Sequence, residues 1–213
     1  FSFAVALEDP SLSATYAPET GSLYQRVPDI PAYVQYSWNK SKSHIRASGI
    51  YRNLTYEDKT RDKAVNVTGW GTQLSGCLYM NKIVSLSGQI VYGKGLSAYI
   101  ADLQGNGYSL MPEMNMNNRL FAPEVLSWFA STQINLTPKM PMTFVYSQVR
   151  LPGKTKDFAA ADYKYSQYIL ANIFYNFNSW VNVGLEYIYG TRENFDNAKG
   201  HSNRIQTAVQ VNF

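Results

Sequence analysis

Apolar residues recur at every second position along most of this chain, the period of a strand with one apolar face. In the last segment Ile205, Thr207, Val209, Val211 and Phe213 fall on one face, and Arg204, Gln206, Ala208, Gln210 and Asn212 on the other. Val181, Val183, Leu185, Tyr187 and Tyr189 oppose Asn182, Gly184 and Glu186, while Ile169, Ala171, Ile173, Tyr175 and Phe177 oppose Ser166, Tyr168, Asn172 and Asn176. The same alternation runs through Trp128–Leu136, Val84–Tyr92 and Ile45–Tyr51, and in weaker form through 1–8, 31–38, 64–76 and 140–150. About ten strands result, each near the ~9–11 residues with which a tilted strand crosses a bilayer.

A soluble β-sandwich alternates too, but its strands usually run to about five or six residues. The connections point elsewhere. Short ones are expected near 39–42, 80–82, 137–140 and 177–179, and long ones near 9–30, 55–63, 93–123, 151–162 and 191–202. Such sorting fits an all-β, antiparallel, up-and-down transmembrane barrel with one rim in the periplasm and the other outside. The apolar face then meets lipid and the polar face lines a wet lumen. The sheet is expected to close, because lipid offers a free edge no hydrogen-bond partner. Tyr36, Trp38, Tyr92, Trp128, Trp180, Tyr187 and Tyr189 are candidates for girdles at the headgroup boundary, where a ring with one polar end is at home. Phe213, preceded by Val211 and Val209 at two-residue spacing, resembles the C-terminal signature that outer-membrane assembly machinery reads from the periplasm. That orientation puts every expected long loop outside.

Composition agrees with this picture. Only 16% of the 213 residues are charged, against about 25% in average soluble domains, while 15% are aromatic. The 45% of hydrophobic residues and the few charges argue against intrinsic disorder. Cys77 is the single cysteine, so neither a disulfide framework nor a Cys-rich zinc site is available. No apolar run approaches the ~20 residues of a transmembrane helix. The chain opens on Phe1-Ser2-Phe3, so any export signal is expected upstream or already removed. The net charge of +4 comes from dispersed basic residues without a nucleic-acid-binding motif, and it is assigned to the lumen. No metal-ligand spacing or phosphate-cradling glycine loop is present, and no cofactor is expected.

Several segments resemble the DcaP-like porins. Tyr187-Ile188-Tyr189-Gly190-Thr191-Arg192-Glu193-Asn194-Phe195-Asp196, followed by Lys199-Gly200-His201-Ser202-Asn203-Arg204-Ile205-Gln206, is similar to the last hairpin of that family. Shorter similarities are Phe3–Pro10, Val27–Pro31, Thr68–Gly71 with Ser75-Gly76, and Tyr92–Gly95 through Tyr99-Ile100. Cys77 departs from the family, whose barrels seldom carry cysteine. The resemblance implies a trimeric 16-stranded outer-membrane channel associated with dicarboxylates and other small anions, embedded in bilayer and lipopolysaccharide. Residues 1–213 are then expected to be the C-terminal part of one barrel domain lacking roughly six strands. The competing account is a complete ten-stranded barrel, an even and permitted number.

The expected function is passive diffusion of small hydrophilic, anionic, dicarboxylate-like solutes in the bacterial outer membrane. Pores discriminate by the groups they turn inward. The candidates are His44, Arg46 and Arg52 on one strand, with Arg204, Gln89, Gln133 and Glu186 from others. A guanidinium stays charged and grips a carboxylate with two hydrogen bonds, so Arg46 and Arg52 suggest a ladder. The bland alternative pairs Arg204 with Glu186 and leaves Arg52 at a solvated rim. Residues 93–123, with an Asn/Met-rich run from Met111 to Asn118, would constrict the pore, cap a neighbouring subunit or cover the mouth. The cluster of Glu57, Asp58, Lys59, Arg61, Asp62 and Lys63 reads as a solvated external loop. Two rival functions are a barrel protease or lipase and a non-conducting structural barrel or adhesin. An enzyme would need His44 or His201 beside a nucleophile or acid; His44 falls near a short periplasmic turn, the wrong end for an external site, and His201, with Asp196 and Glu193 nearby, has no nucleophile placed with it.

Overall fold

A computed structural model describes residues 1–10, 21–23, 25–59, 63–112, 120–153 and 157–213. Thirteen strands follow in order: β1 (Ser2–Val5), β2 (Gly21–Leu23), β3 (Ile30–Trp38), β4 (Ser43–Asp58), β5 (Lys63–Tyr79), β6 (Val84–Lys94), β7 (Met111–Pro112), β8 (Leu120–Phe121), β9 (Glu124–Thr137), β10 (Met140–Arg150), β11 (Tyr163–Asn176), β12 (Val181–Asn194) and β13 (Lys199–Val211). Ten of them form one antiparallel meander, β1-β3-β4-β5-β6-β9-β10-β11-β12-β13, with β2 added beside β4. A 3₁₀ turn, Ser97–Tyr99, and the small β7–β8 pair lie within the long β6–β9 connection.

Register puts the apolar positions of neighbouring strands side by side. One row reads Val34, Ala47, Leu74, Ile90 and Trp128, and the row beside it on the opposite face reads Gln35, Arg46, Ser75, Gln89 and Phe129. A one-residue slip anywhere would exchange the faces, so the alternation itself fixes the pairing.

The long connection shows which way the sheet bends. The Tyr99 hydroxyl donates to Glu8 and Asp29, beside the start of β3, while Asp102 accepts from Ser166 on β11. On a flat sheet β3 and β11 lie six strand spacings apart, roughly 29 Å. Tyr99 and Asp102 are at most about 10 Å apart along the chain. The sheet therefore curls around this segment. The face it touches, which includes Val125, Val149 and Ser166, is the polar one, so the polar face is concave.

Three expectations need correction. The connections expected near 55–63 and 191–202 are short: β4 and β5 are separated only by 59–62, and β12 and β13 only by 195–198. Ladder hydrogen bonding continues through Glu57↔Ala64 and Glu193↔Lys199, where both faces have turned polar and apolar alternation no longer marks a strand. The expected closure is absent as well. β1 and β13 are the two ends of the sheet and do not pair with each other. Finally, the strand count rises from ten to thirteen because β2, β7 and β8 are short pairings with no periodic signal. Arg61 and Asp62, and most of the Met111–Asn118 run, lie outside the described residues.

Candidate functional site

The polar concave face and the segment folded onto it form the candidate site. Residues 95–112 and 120–123 carry their own apolar core. Ile100, Leu103, Tyr108 and Met111 pack with Val125, Val149, Leu151, Phe158, Tyr163 and Phe195. Leu110, Leu120 and Ala122 pack with Leu54 and Tyr56 of β4. The segment is thus seated inside the curl, between opposite walls, and narrows the space there.

Glycines make the seat. Gly71 and Gly93 are register partners, and a Cβ on either would lie within 3 Å of the Leu96 side chain. At Gly95 the chain leaves β6 with φ +67°, a left-handed conformation that costs glycine little.

Two polar anchors complete the attachment. On the β3–β4 wall the Arg52 Nε donates to Asp29 Oδ2 at 2.9 Å, and both side chains are fully enclosed. Arg52 Nη1 donates to the Gly95 carbonyl, and its guanidinium lies 5.0 Å from the Tyr99 ring centre. Tyr99 Oη donates to the same Asp29 oxygen at 2.9 Å and to Glu8 Oε2 at 3.1 Å. Burial first, then the hydrogen bond to Asp29, pushes the Tyr99 phenol well above its ordinary pKa, so it remains a donor. On the opposite wall Ser166 donates to Asp102, and Tyr163 N–H donates to the Tyr108 hydroxyl at 2.9 Å. Ser97 and Ser109 hold the segment together at 2.6 Å.

The candidates named from sequence separate into three groups. Arg46 is half-buried on the concave face, with Nε on Gln35 Oε1 at 2.8 Å and its guanidinium 4.2 Å from the Tyr33 ring centre. His44 lies on the same face opposite Cys77, near the short β3–β4 turn. Gln89 accepts from Gln73 at 3.0 Å, and Gln133 donates to Asn135 at 3.3 Å. Arg204 is exposed on that face opposite Ile188. It does not pair with Glu186, which accepts instead from Gln206 and, at 3.2 Å, from Asn172. Arg52 shares the face but is spent on Asp29 and Gly95, out of reach of solutes. His201 sits on the convex face opposite Thr191, its ring 6.3 Å from that of Tyr189.

On the convex face Tyr36 and Trp38 stack at 5.8 Å beside one short turn, and Trp180 stands beside another. Tyr92, Trp128 and Tyr189 lie nearer the opposite rim, together with Tyr51 and Trp70, two aromatics that sequence reasoning missed, and Tyr187 sits midway along β12. Val209, Val211 and Phe213 are exposed on the same face or at its end.

Two charged residues of the concave side were missed. Arg192 continues the row Glu186, Ile188, Gly190, and ending β12 at residue 190 hid it. Asp102 sits in a segment with no periodicity, so no signal pointed to it.

No protein-family model matches the chain, and no curated protein does. Among solved structures, the outer-membrane channel DcaP of Acinetobacter baumannii superposes with a TM-score of 0.79 at 17% identity, over 99% of this chain and 58% of that one. The fold is that of an outer-membrane channel. The chain spans 58% of the DcaP chain's length, and β1 and β13 are open edges of its sheet. Two other structures resemble it more loosely. They are the NanC porin (TM-score 0.44, 11% identity, 87% of this chain and 93% of that) and the CymD monoaromatic hydrocarbon channel (0.46, 7%, 86% and 50%).

Proposed function

We propose that this chain is the C-terminal part of a bacterial outer-membrane porin through which small hydrophilic, anionic solutes diffuse passively. The observation that carries the reading is the long segment seated on a polar concave face. A polar interior with a folded-in constriction is the architecture of a wet, selective pore and has no use in a plugged structural barrel. Lipid and lipopolysaccharide cover the convex face. From Ser43 to Tyr51 is about 26 Å along the strand, roughly 20 Å of height at a ~40° tilt, close to the expected apolar band. Outer-membrane assembly machinery reads Val209, Val211 and Phe213, and three copies assemble, as the resemblance to DcaP-like porins implies. A barrel enzyme is disfavoured: among the described residues no side-chain hydrogen bond joins His44 to its neighbour Cys77 or His201 to its neighbour Thr191.

Anion preference rests on Arg46, Arg192 and Arg204, which meet no carboxylate among the described residues, whereas Arg52 is neutralised by Asp29. The test is the reversal potential in planar bilayers under a salt gradient, using the full-length protein. Replacing Arg46 and Arg204 together by Ser should move it toward cation preference. An unchanged potential rejects these arginines as the selective groups.

A further inference from the structure

A cavity of about 400 Å³ opens between the folded-in segment and the β10–β13 wall. Its lining includes Asp102 from the segment and Tyr168, Leu170, Ile188, Ser202 and Arg204 from the wall. That volume lies in the usual range for a small-molecule site. We propose that this cavity is a binding site for small zwitterions, α-amino acids above all, on the path through the pore. The proposal rests on the channel reading.

Both charges are available. Arg204 forms no hydrogen bond or ion pair among the described residues, because the carboxylate on its neighbouring strand, Glu186, is held by Gln206 and Asn172. Asp102 is oriented by Ser166 and meets no cation within salt-bridge distance. The two charges therefore face one cavity without neutralising each other. A carboxylate at Arg204 can take two parallel hydrogen bonds, and an ammonium completes the partnership at Asp102. Ile188 and Leu170 continue the cross-strand row of Arg204 in the cavity lining and offer an apolar strip to an amino-acid side chain.

Selectivity follows from repulsion as much as attraction. A simple anion that reaches Arg204 meets the Asp102 carboxylate, and a simple amine that reaches Asp102 meets the Arg204 guanidinium. A solute bearing both charges satisfies both.

The experiment uses the full-length protein in planar bilayers at pH 7 and measures block of the ionic current by L-alanine, by lactate and by 2-aminopropanol. Alanine should block at the lowest concentration. Asp102→Asn should weaken block by alanine about fivefold, the worth of one partly exposed ion pair, and leave lactate unchanged or improved. Arg204→Ser should weaken both. Tyr108→Phe removes the segment's hydrogen bond from the Tyr163 N–H and leaves the cavity lining unchanged, and should preserve the alanine-to-lactate ratio. The proposal is overturned if the ratio survives Asp102→Asn, or if Tyr108→Phe abolishes it equally. Absence of any current would refute the channel reading itself, whereas normal salt current without alanine preference refutes only the zwitterion site.

Discussion

Replacing Arg52 by Met tests the claim that this residue anchors the constriction and does not select solutes. Arg52 and Asp29 are both fully enclosed, with Nε and Oδ2 2.9 Å apart. At an effective dielectric of about 20 their attraction amounts to roughly 5 kcal/mol, offset by the desolvation of both ions. Removing the guanidinium leaves the carboxylate with only the Tyr99 hydroxyl, since Asp29 Oδ1 accepts no hydrogen bond among the described residues. A stranded buried charge costs about 3–5 kcal/mol. The protein can escape that cost by undocking the segment, which rehydrates Asp29. Equilibrium urea unfolding in detergent micelles should therefore show a loss of about 3–5 kcal/mol, or a smaller loss accompanied by larger and noisier single-channel current. Asp29→Leu with Arg52→Met removes both charges and should recover most of the stability, giving a coupling energy of at least about 2 kcal/mol. Additive single and double mutants, or a single mutant that loses under about 1 kcal/mol with unchanged current, would refute the anchor.

Two further predictions address the faces of the sheet and its outer rim. Cys77 lies on the concave face between His44 and Ser87, so a water-soluble anionic methanethiosulfonate added from the periplasmic side should reduce current, and Cys77→Ser should abolish the effect; full insensitivity of the unmodified protein would put that face elsewhere. Glu193, above the apolar band, accepts from Lys164 at 2.6 Å and meets Lys199 at 3.1 Å, and these two ammonium groups hold its carboxyl down at about 2. A depressed carboxylate contributes stability above its unfolded value near 4.5 and loses it as pH falls toward 2. The melting temperature should therefore fall less between pH 6 and pH 3 in Glu193→Gln than in the unmodified protein. Parallel pH profiles would show that the triad adds nothing.

The faces of the ten meander strands were legible in the sequence because a sheet with one apolar side imposes a period of two on every strand. Where that physics stops, so does the legibility. Lys199, Gly200, His201 and Ser202 are paired in β13, yet both of their faces meet water and nothing alternates. The folded-in segment was harder still. Leu103 and Met111 are buried with Val125 and Val149, and Leu110 with Leu54 and Tyr56, at no regular spacing. Arg52 was placed on the correct face from its parity. Its occupation by Asp29 depends on a partner just before β3, across the β3–β4 turn, which parity does not reveal.

The distribution of cations sharpens what the net charge of +4 means. It was assigned to the lumen as a whole, but the lysines do not support that. Lys40, Lys42, Lys82 and Lys139 sit in the short turns, and Lys94 and Lys199 lie on the convex face at the outer rim, paired with Glu124 and Glu193. Arg46, Arg52, Arg192 and Arg204 lie on the concave face. An ammonium is strongly hydrated and flexible and suits a rim, whereas a guanidinium is planar, weakly hydrated and preorganised, and loses less when a confined solute displaces its water. The identity of the inward cations therefore bears on selectivity more than their number does. With Arg52 neutralised, Arg46 stands on β4 and Arg192 and Arg204 on β12 and β13, so under the proposed anion-conducting function a carboxylate would pass separate guanidinium stations and no single deep trap, as a pore requires of its binding sites if solutes are to leave as well as enter.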